Sequence, residues 1–261
     1  MFSDLPLTRV KKRIDDLQVK ECGFFGPQIR NQGLSSLTNY EQGKGVQTMN
    51  KLSIGNVIKD VSIAINPRDV RRPLTHMRVL CKPDRLVFTG TNGIKLLEKT
   101  CVAETGWDND ILIPSDLVKG YAALDWDGIR NTKNNVALIR LHDVLTKKQF
   151  PGRHLEYPDY EQLFSFSHRK GNIRKTINRQ EALNALKAAV PSLEREDNCR
   201  FTLAQLGWGI DKDVNGVFLF QVLKALHSDK LMVRHDDKHL YITFLGENER
   251  ALLTMLKRRP V

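Results

Sequence analysis

The stretch Asp69–Glu98, DVRRPLTHMRVLCKPDRLVFTGTNGIKLLE, decides the fold. β-branched and apolar residues fill Arg78 to Cys81 and Arg85 to Thr91, and Lys82-Pro83-Asp84 supplies a turn between them. Asn92-Gly93 is a strong short hairpin signal, because both residues tolerate positive φ, so Ile94 to Ala103 reads as the returning strand. Three strands in direct succession make an antiparallel meander. Ahead of them, Leu52, Ile54, Val57, Ile58, Val61 and Ile65 recur at helical spacing, which predicts an amphipathic helix able to cover one face of the strands.

This helix-then-meander unit resembles one domain of a bacterial sliding clamp, the ring-shaped processivity subunit of the replicative DNA polymerase. The matching residues are Asp69-Val70-Arg71-Arg72-Pro73-Leu74 and Thr91-Asn92-Gly93-Ile94-Lys95-Leu96, the second set against the family's T-D-G-x-R-L signature. Downstream, Ile113-Pro114-Ser115-Asp116-Leu117 resembles the start of the second clamp helix. Tyr157-Pro158-Asp159-Tyr160 resembles the F-P-D-Y segment closing a clamp's middle domain. The order of these motifs over roughly residues 49–166 weighs more than any one of them. The sequence also departs from the pattern: Asn92 and Lys95 replace the family's Asp and Arg, and no Pro follows Leu163-Phe164.

The resemblance implies a role for particular residues. In that family basic residues on the inner helices face duplex phosphates without reading bases, which makes Lys51, Lys59 and Lys119 expected phosphate contacts. Arg71 and Arg72 fall where the family places a DNA-touching loop. A hydrophobic pocket receives short peptides from polymerases and other replication partners, and by position Leu74, Thr91, Gly93, Ile94, Lys95 and Leu96 form part of its wall. Gln162-Leu163-Phe164-Ser165-Phe166 resembles the Q-L-x-L-F peptide that such pockets bind.

The totals agree with a polyanionic partner. Among 261 residues, 41 Lys and Arg face 30 Asp and Glu, a formal charge of +11, and the isoelectric point is near 9.6. Double-stranded DNA is the expected ligand. Cys22, Cys81, Cys101 and Cys199 lie far apart with no C-x-x-C pair, which argues against a zinc site or a disulfide framework and for a reducing, cytoplasmic setting. No apolar run approaches membrane-spanning length, and no signal peptide is evident. No catalytic constellation is found. The Asp108/Asp110, Asp125/Asp127 and Asp211/Asp213 pairs sit in turn-rich contexts, His235 to His239 lacks a third zinc-type ligand, and there is no P-loop or dinucleotide fingerprint. A non-enzyme without cofactor or metal is the expectation.

The remaining chain divides into three further parts. Residues 1–48 read as an N-terminal arm, with Lys11-Lys12-Arg13 on a short helix and a Gly/Asn/Gln/Ser-rich run after it. Ser115 opens a second helix carrying Leu117, Tyr121 and Leu124, and Val136 to Leu141 and Val144 to Phe150 read as strands. Residues 167–177 read as a basic linker whose Arg169, Lys170, Arg174 and Lys175 can touch phosphates. From Asn178 the spacing predicts helix, short helix, longer helix (Gly216 to His227), hairpin and a final helix over Glu249 to Arg258. That order resembles a winged-helix domain over residues 178–261, with Gln221 and Lys224 on its recognition helix. The fold class expected is therefore α+β, a clamp-like domain of two helices on an antiparallel sheet, followed by a small winged-helix-like domain.

Three functions fit. The first is a replication protein related to sliding clamps, with homo-oligomers expected. The second is a sequence-specific transcriptional regulator. The third is a two-domain clamp forming a ring, for which the spacing between Ile177 and Gly216 looks short.

Overall fold

The computed structural model describes residues 54–103, 105–106, 108–123, 156–166, 173–189, 199–235 and 240–256, all within one compact unit, residues 52–261. Lys51, Arg169, Lys170, the expected arm over 1–48 and the expected strands over 136–150 lie outside the described residues.

The first half begins as its periodicity predicts. Helix α1 (Ile54–Ser62) buries Ile54, Val57, Ile58 and Val61 on one stripe. A single 3₁₀ turn, Arg72–Thr75, has Pro73 near its start and leads into the meander. Strands β1 (His76–Lys82), β2 (Arg85–Thr91) and β3 (Lys95–Val102) pair antiparallel in sequence order. β4 (Asn109–Pro114) pairs with the far side of β1 and runs directly into α2 (Ser115–Ala122), which packs on α1. The hairpin after Thr91 forms where expected, although Asn92 acts through its side chain: its Oδ1 accepts from the backbone N–H groups of Ile94 (3.0 Å) and Lys95 (2.9 Å). Gly93 supplies the positive φ, 81°.

The second half departs from the expected winged helix. Helix α4 (Arg179–Ala189) is capped as foreseen, Asn178 Oδ1 accepting from the N–H groups of Gln180 and Glu181. Before it stands a short helix on the first half, α3 (Glu161–Phe166), and then strand β5 (Ile173–Asn178), which overlaps the segment expected to be a linker. After α4 come β6 (Arg200–Thr202), a 3₁₀ turn (Leu203–Leu206), β7 (Asp213–Asn215) and α5 (Gly216–Ala225), then β8 (Lys230–His235), β9 (Tyr241–Leu245) and β10 (Glu249–Leu256).

The decisive correction is β10, expected to be a helix. Its residues are good helix formers, but it lies between β9 and β3 and bonds to both, with Leu252 opposite both Thr243 and Leu96 and Leu253 opposite both Ile242 and Lys95. Ladders on both sides and burial of Leu252 and Leu253 on opposite faces outweigh intrinsic propensities of under about 1 kcal/mol per residue. The strand order among the described residues is β4-β1-β2-β3-β10-β9-β8-β5, with the short β6–β7 ladder attached to the end of β10. Two four-stranded halves thus meet edge to edge in one sheet, and no separate winged-helix body stands apart from the first half.

Each half places a pair of helices, α1/α2 and α4/α5, over the sheet. α1 sits so close that a Cβ on Gly90 would lie 2.7 Å from the Val61 carbonyl oxygen. Under α1/α2 lie Met77, Val79, Leu86, Phe88, Ile111 and Ile113; under α4/α5 lie Leu231, Val233, Ile242, Phe244 and Leu253, with Leu97 and Ala64 of the first half joining the same core. On the opposite face, Tyr160 and Phe164 of the α3 segment cover Leu96 and Leu252 where the halves meet.

Candidate functional site

Strand alternation sorts the residues expected to line one pocket. Leu96 and Thr91 are cross-strand partners and share the face covered by Tyr160 and Phe164. Lys95, one residue on, is turned to the helix face, since successive side chains alternate. Its ammonium group there donates to Gln221 Oε1 on α5 and lies 4.8 Å from the centroid of the Phe218 ring. Leu74 is buried, while Gly93 and Ile94 are exposed at the hairpin tip. The six residues therefore do not line one cavity: Leu96 is buried beneath Tyr160 and Phe164 on one face, and Lys95 is a strut between the halves on the other. Gln221, expected on a recognition helix, is half-buried on α5 and accepts from Lys95.

Arg71 and Arg72 have different surroundings. The Arg71 guanidinium forks onto Asp69 (Nε to Oδ1, 3.0 Å; NH2 to Oδ2, 2.9 Å) and donates to the Asn92 carbonyl at 3.2 Å, resting against Gly93. These hydrogen bonds from Arg71 hold the Asp69 carboxyl below its ordinary value. Arg71 thus staples the loop before β1 to the β2–β3 hairpin. Arg72 is exposed. Of the lysines expected on helices, Lys59 on α1 and Lys119 on α2 are exposed, as is Lys224 on α5. Lys175 of β5 donates to the Gly207 carbonyl, and Arg174 is exposed on the strand's other side.

Two polar clusters that the sequence did not single out hold the halves together. On the helix face Lys99 of β3, only 1% exposed, lies between Asp60 of α1 (2.8 Å) and Glu249 of β10 (3.2 Å). Glu249 Oε1 also accepts from the N–H groups of His227 and Ser228 (2.6 Å each), and His227 Nε2 lies 2.8 Å from Asp60. On the other face Arg250 of β10 forks onto Glu98 of β3 (2.5 and 2.9 Å), donates to Glu161 of α3 and stacks over Phe164, 4.3 Å from its centroid. Burial alone would lower the Arg250 guanidinium, but the bonds to Glu98 and Glu161 more than offset it and hold it above its ordinary value. Tyr160 Oη meets Thr89 Oγ1 at 2.9 Å, and burial raises the Tyr157 and Tyr160 phenols. The missed signal was alternation: Lys95, Glu98 and Lys99 interrupt an otherwise apolar strand, and a charge in such a strand needs a partner brought by another element.

Among the described residues no three His, Cys, Asp or Glu side chains gather as a metal site, and no helix is long and apolar enough to cross a membrane. Cys81, Cys101 and Cys199 are not joined in disulfides among the described residues.

Paired helices on one face of a sheet continuous across two halves match known structures. The fold is similar to that of a bacterial DNA polymerase III β subunit. The Streptococcus pneumoniae β chain aligns over 87% of this chain and 69% of its own length at 16% identity, with a TM-score of 0.57. The Thermotoga maritima β subunit aligns over 79% of this chain and 64% of its own, at 11% identity and a TM-score of 0.54. The Helicobacter pylori β clamp, solved bound to a DNA ligase peptide, aligns over 78% and 63% at 16% identity, TM-score 0.52. The chain thus spans about two thirds of the length of these sliding clamps. No family model and no curated protein matches the sequence.

Proposed function

We propose that this chain is a non-enzymatic, clamp-like accessory protein of DNA replication that holds duplex DNA and engages a replication partner. The observation that carries the reading is the architecture itself, two helix pairs on one face of a sheet that runs unbroken from one half to the other. Lys59, Lys119 and Lys224 provide exposed ammonium groups on three of those helices, Lys51 and the Arg169 to Lys175 segment add charge nearby in sequence, and Arg72 adds a guanidinium before β1. Contacts of this kind need only reach a phosphate, so affinity is sequence-tolerant and falls steeply with salt.

The chain spans two thirds of the β subunits it is similar to, so a second copy is the proposed means of encircling DNA. Engagement of Gln221 by Lys95 weighs against the regulator reading, which needed Gln221 at base edges. The test is mass in solution with and without DNA, on linear and on circular templates. The clamp reading expects a defined oligomer retained on circular DNA and lost from linear ends. A monomer that binds one duplex sequence far better than others refutes it.

A further inference from the structure

α1 and α5 come from different halves of the chain, and their C-terminal ends converge on one spot of the helix face. Asp60 stands in the last turn of α1, and His227 lies two residues beyond the end of α5. Asp60 Oδ2 is 2.8 Å from both Lys99 Nζ and His227 Nε2, and the His227 side chain is 44% exposed. A carboxylate oxygen only accepts, so Nε2 carries the hydrogen of this bond and Nδ1 is the atom left to take up a proton. Glu249, the second carboxylate, accepts from the backbone N–H of His227 and reaches Lys99 at 3.2 Å.

The charges within this cluster do not balance on their own. Asp60 and Glu249 share one ammonium group, Lys99, and the C-terminal ends of both helices add partial negative charge. Lys59, Lys224, Asp229, Lys230 and Glu247 are close in sequence but exposed, where water and salt screen them. With a neutral imidazole the cluster therefore holds one excess negative charge, on a face that otherwise presents Lys59, Lys119 and Lys224. A protonated imidazole makes the cluster neutral. It also turns the Nδ1 lone pair, which repels a phosphate oxygen, into a charged N–H donor that attracts one.

We propose that duplex binding on the helix face draws one proton from the buffer onto His227, which then donates from Nδ1 to a phosphate oxygen. The inference rests on the DNA-binding reading above and adds to it a contact whose strength depends on pH. Lys99 is the fixed charge of the cluster, held by both carboxylates, and His227 is the variable one, because imidazole is the side chain that ordinarily changes charge between about pH 5 and 8. A proton taken up on binding makes affinity rise as pH falls and decline as pH rises.

The test uses the full chain and a fluorescently labelled duplex oligonucleotide at one salt concentration, about 50 mM, at about pH 6 and about pH 8. The parent chain should bind about tenfold more tightly at the lower pH. His227→Gln, which cannot take the proton, should bind weakly at both, with a difference of less than about threefold. His227→Arg, which is always charged, should bind tightly at both. Calorimetry in two buffers of unlike ionisation heat should show proton uptake when the parent binds and less in either variant. Thermal melts identify any loss due to misfolding.

Equal affinity of the parent at both pH values overturns the inference, as does a pH dependence that survives His227→Gln undiminished and so belongs to other histidines. Weak binding by a folded His227→Arg at both pH values overturns it in favour of a purely structural bond between His227 and Asp60. Absence of duplex binding at low salt at either pH overturns both this contact and the DNA-binding reading, a result distinct from the others.

Discussion

The Lys95 ammonium group, 5% exposed on β3, donates to the side-chain carbonyl of Gln221 on α5, tying residues 126 apart in sequence. This contact fixes what Gln221 is for. Gln221→Ala should lower stability by about 1 to 3 kcal/mol, the cost of depriving a buried polar group of a partner, and leave the ranking of duplex sequences unchanged. Urea unfolding and competition binding measure the two effects. A shift in sequence ranking without loss of stability contradicts the strut.

Lys99 should be costlier still. Replacing it by Met leaves Glu249 and Asp60 facing each other without their shared cation, and breaking a buried ion pair from one side typically costs about 3 to 5 kcal/mol. Lys99→Met is expected at that level in urea unfolding, and Lys99→Met/Glu249→Gln should recover part of the loss. A Lys99→Met chain as stable as the parent contradicts the cluster.

Gly90 is held to glycine by packing. A methyl group there meets the Val61 carbonyl oxygen at 2.7 Å, with Ile65 and Val61 side-chain carbons at 3.1 Å. Gly90→Ala should cost about 1 to 3 kcal/mol, read as a lower unfolding midpoint, because α1 must lift from β2.

Burial pushes the Cys101 thiol up to about 11, so at pH 8 it should resist iodoacetamide, as mass spectrometry of labelled peptides would show. The folded value lies above the ordinary one of 9.0. Its contribution to stability is thus complete below pH 9 and is lost as pH rises through about 11, amounting to roughly 2 to 3 kcal/mol. Ready labelling at pH 8 without denaturant contradicts this.

Much of the first half was legible because local signals agreed there. Helical spacing set α1, the Asn92-Gly93 turn set the hairpin, and Ser115 opened α2. The second half misled because Glu249 to Leu256 has helix-forming residues, and what makes it a strand is a pair of ladders to β3 and β9 that no local window contains. For the site, exposure of Lys59, Lys119 and Lys224 followed from helical phase. Lys95 and Gln221 could not be recognised as partners until β3 and β10 were known to adjoin, since that pairing brings α5 over β3. Arg71 looked like a surface cation, and only the nearness of Asp69 and Asn92 showed it to be a staple.

The pairing of Lys99 with Glu249 also bears on how the chain is made. As a ribosome extends the protein, β3 emerges with an apolar, hydrogen-bond-hungry edge, and its neighbour follows about 150 residues later. Contacts so remote in sequence form slowly, and an edge left open in the interval invites pairing with the wrong strand. Synthesis halted before residue 249 should therefore yield a nascent chain that aggregates or recruits chaperones, while the finished chain does not.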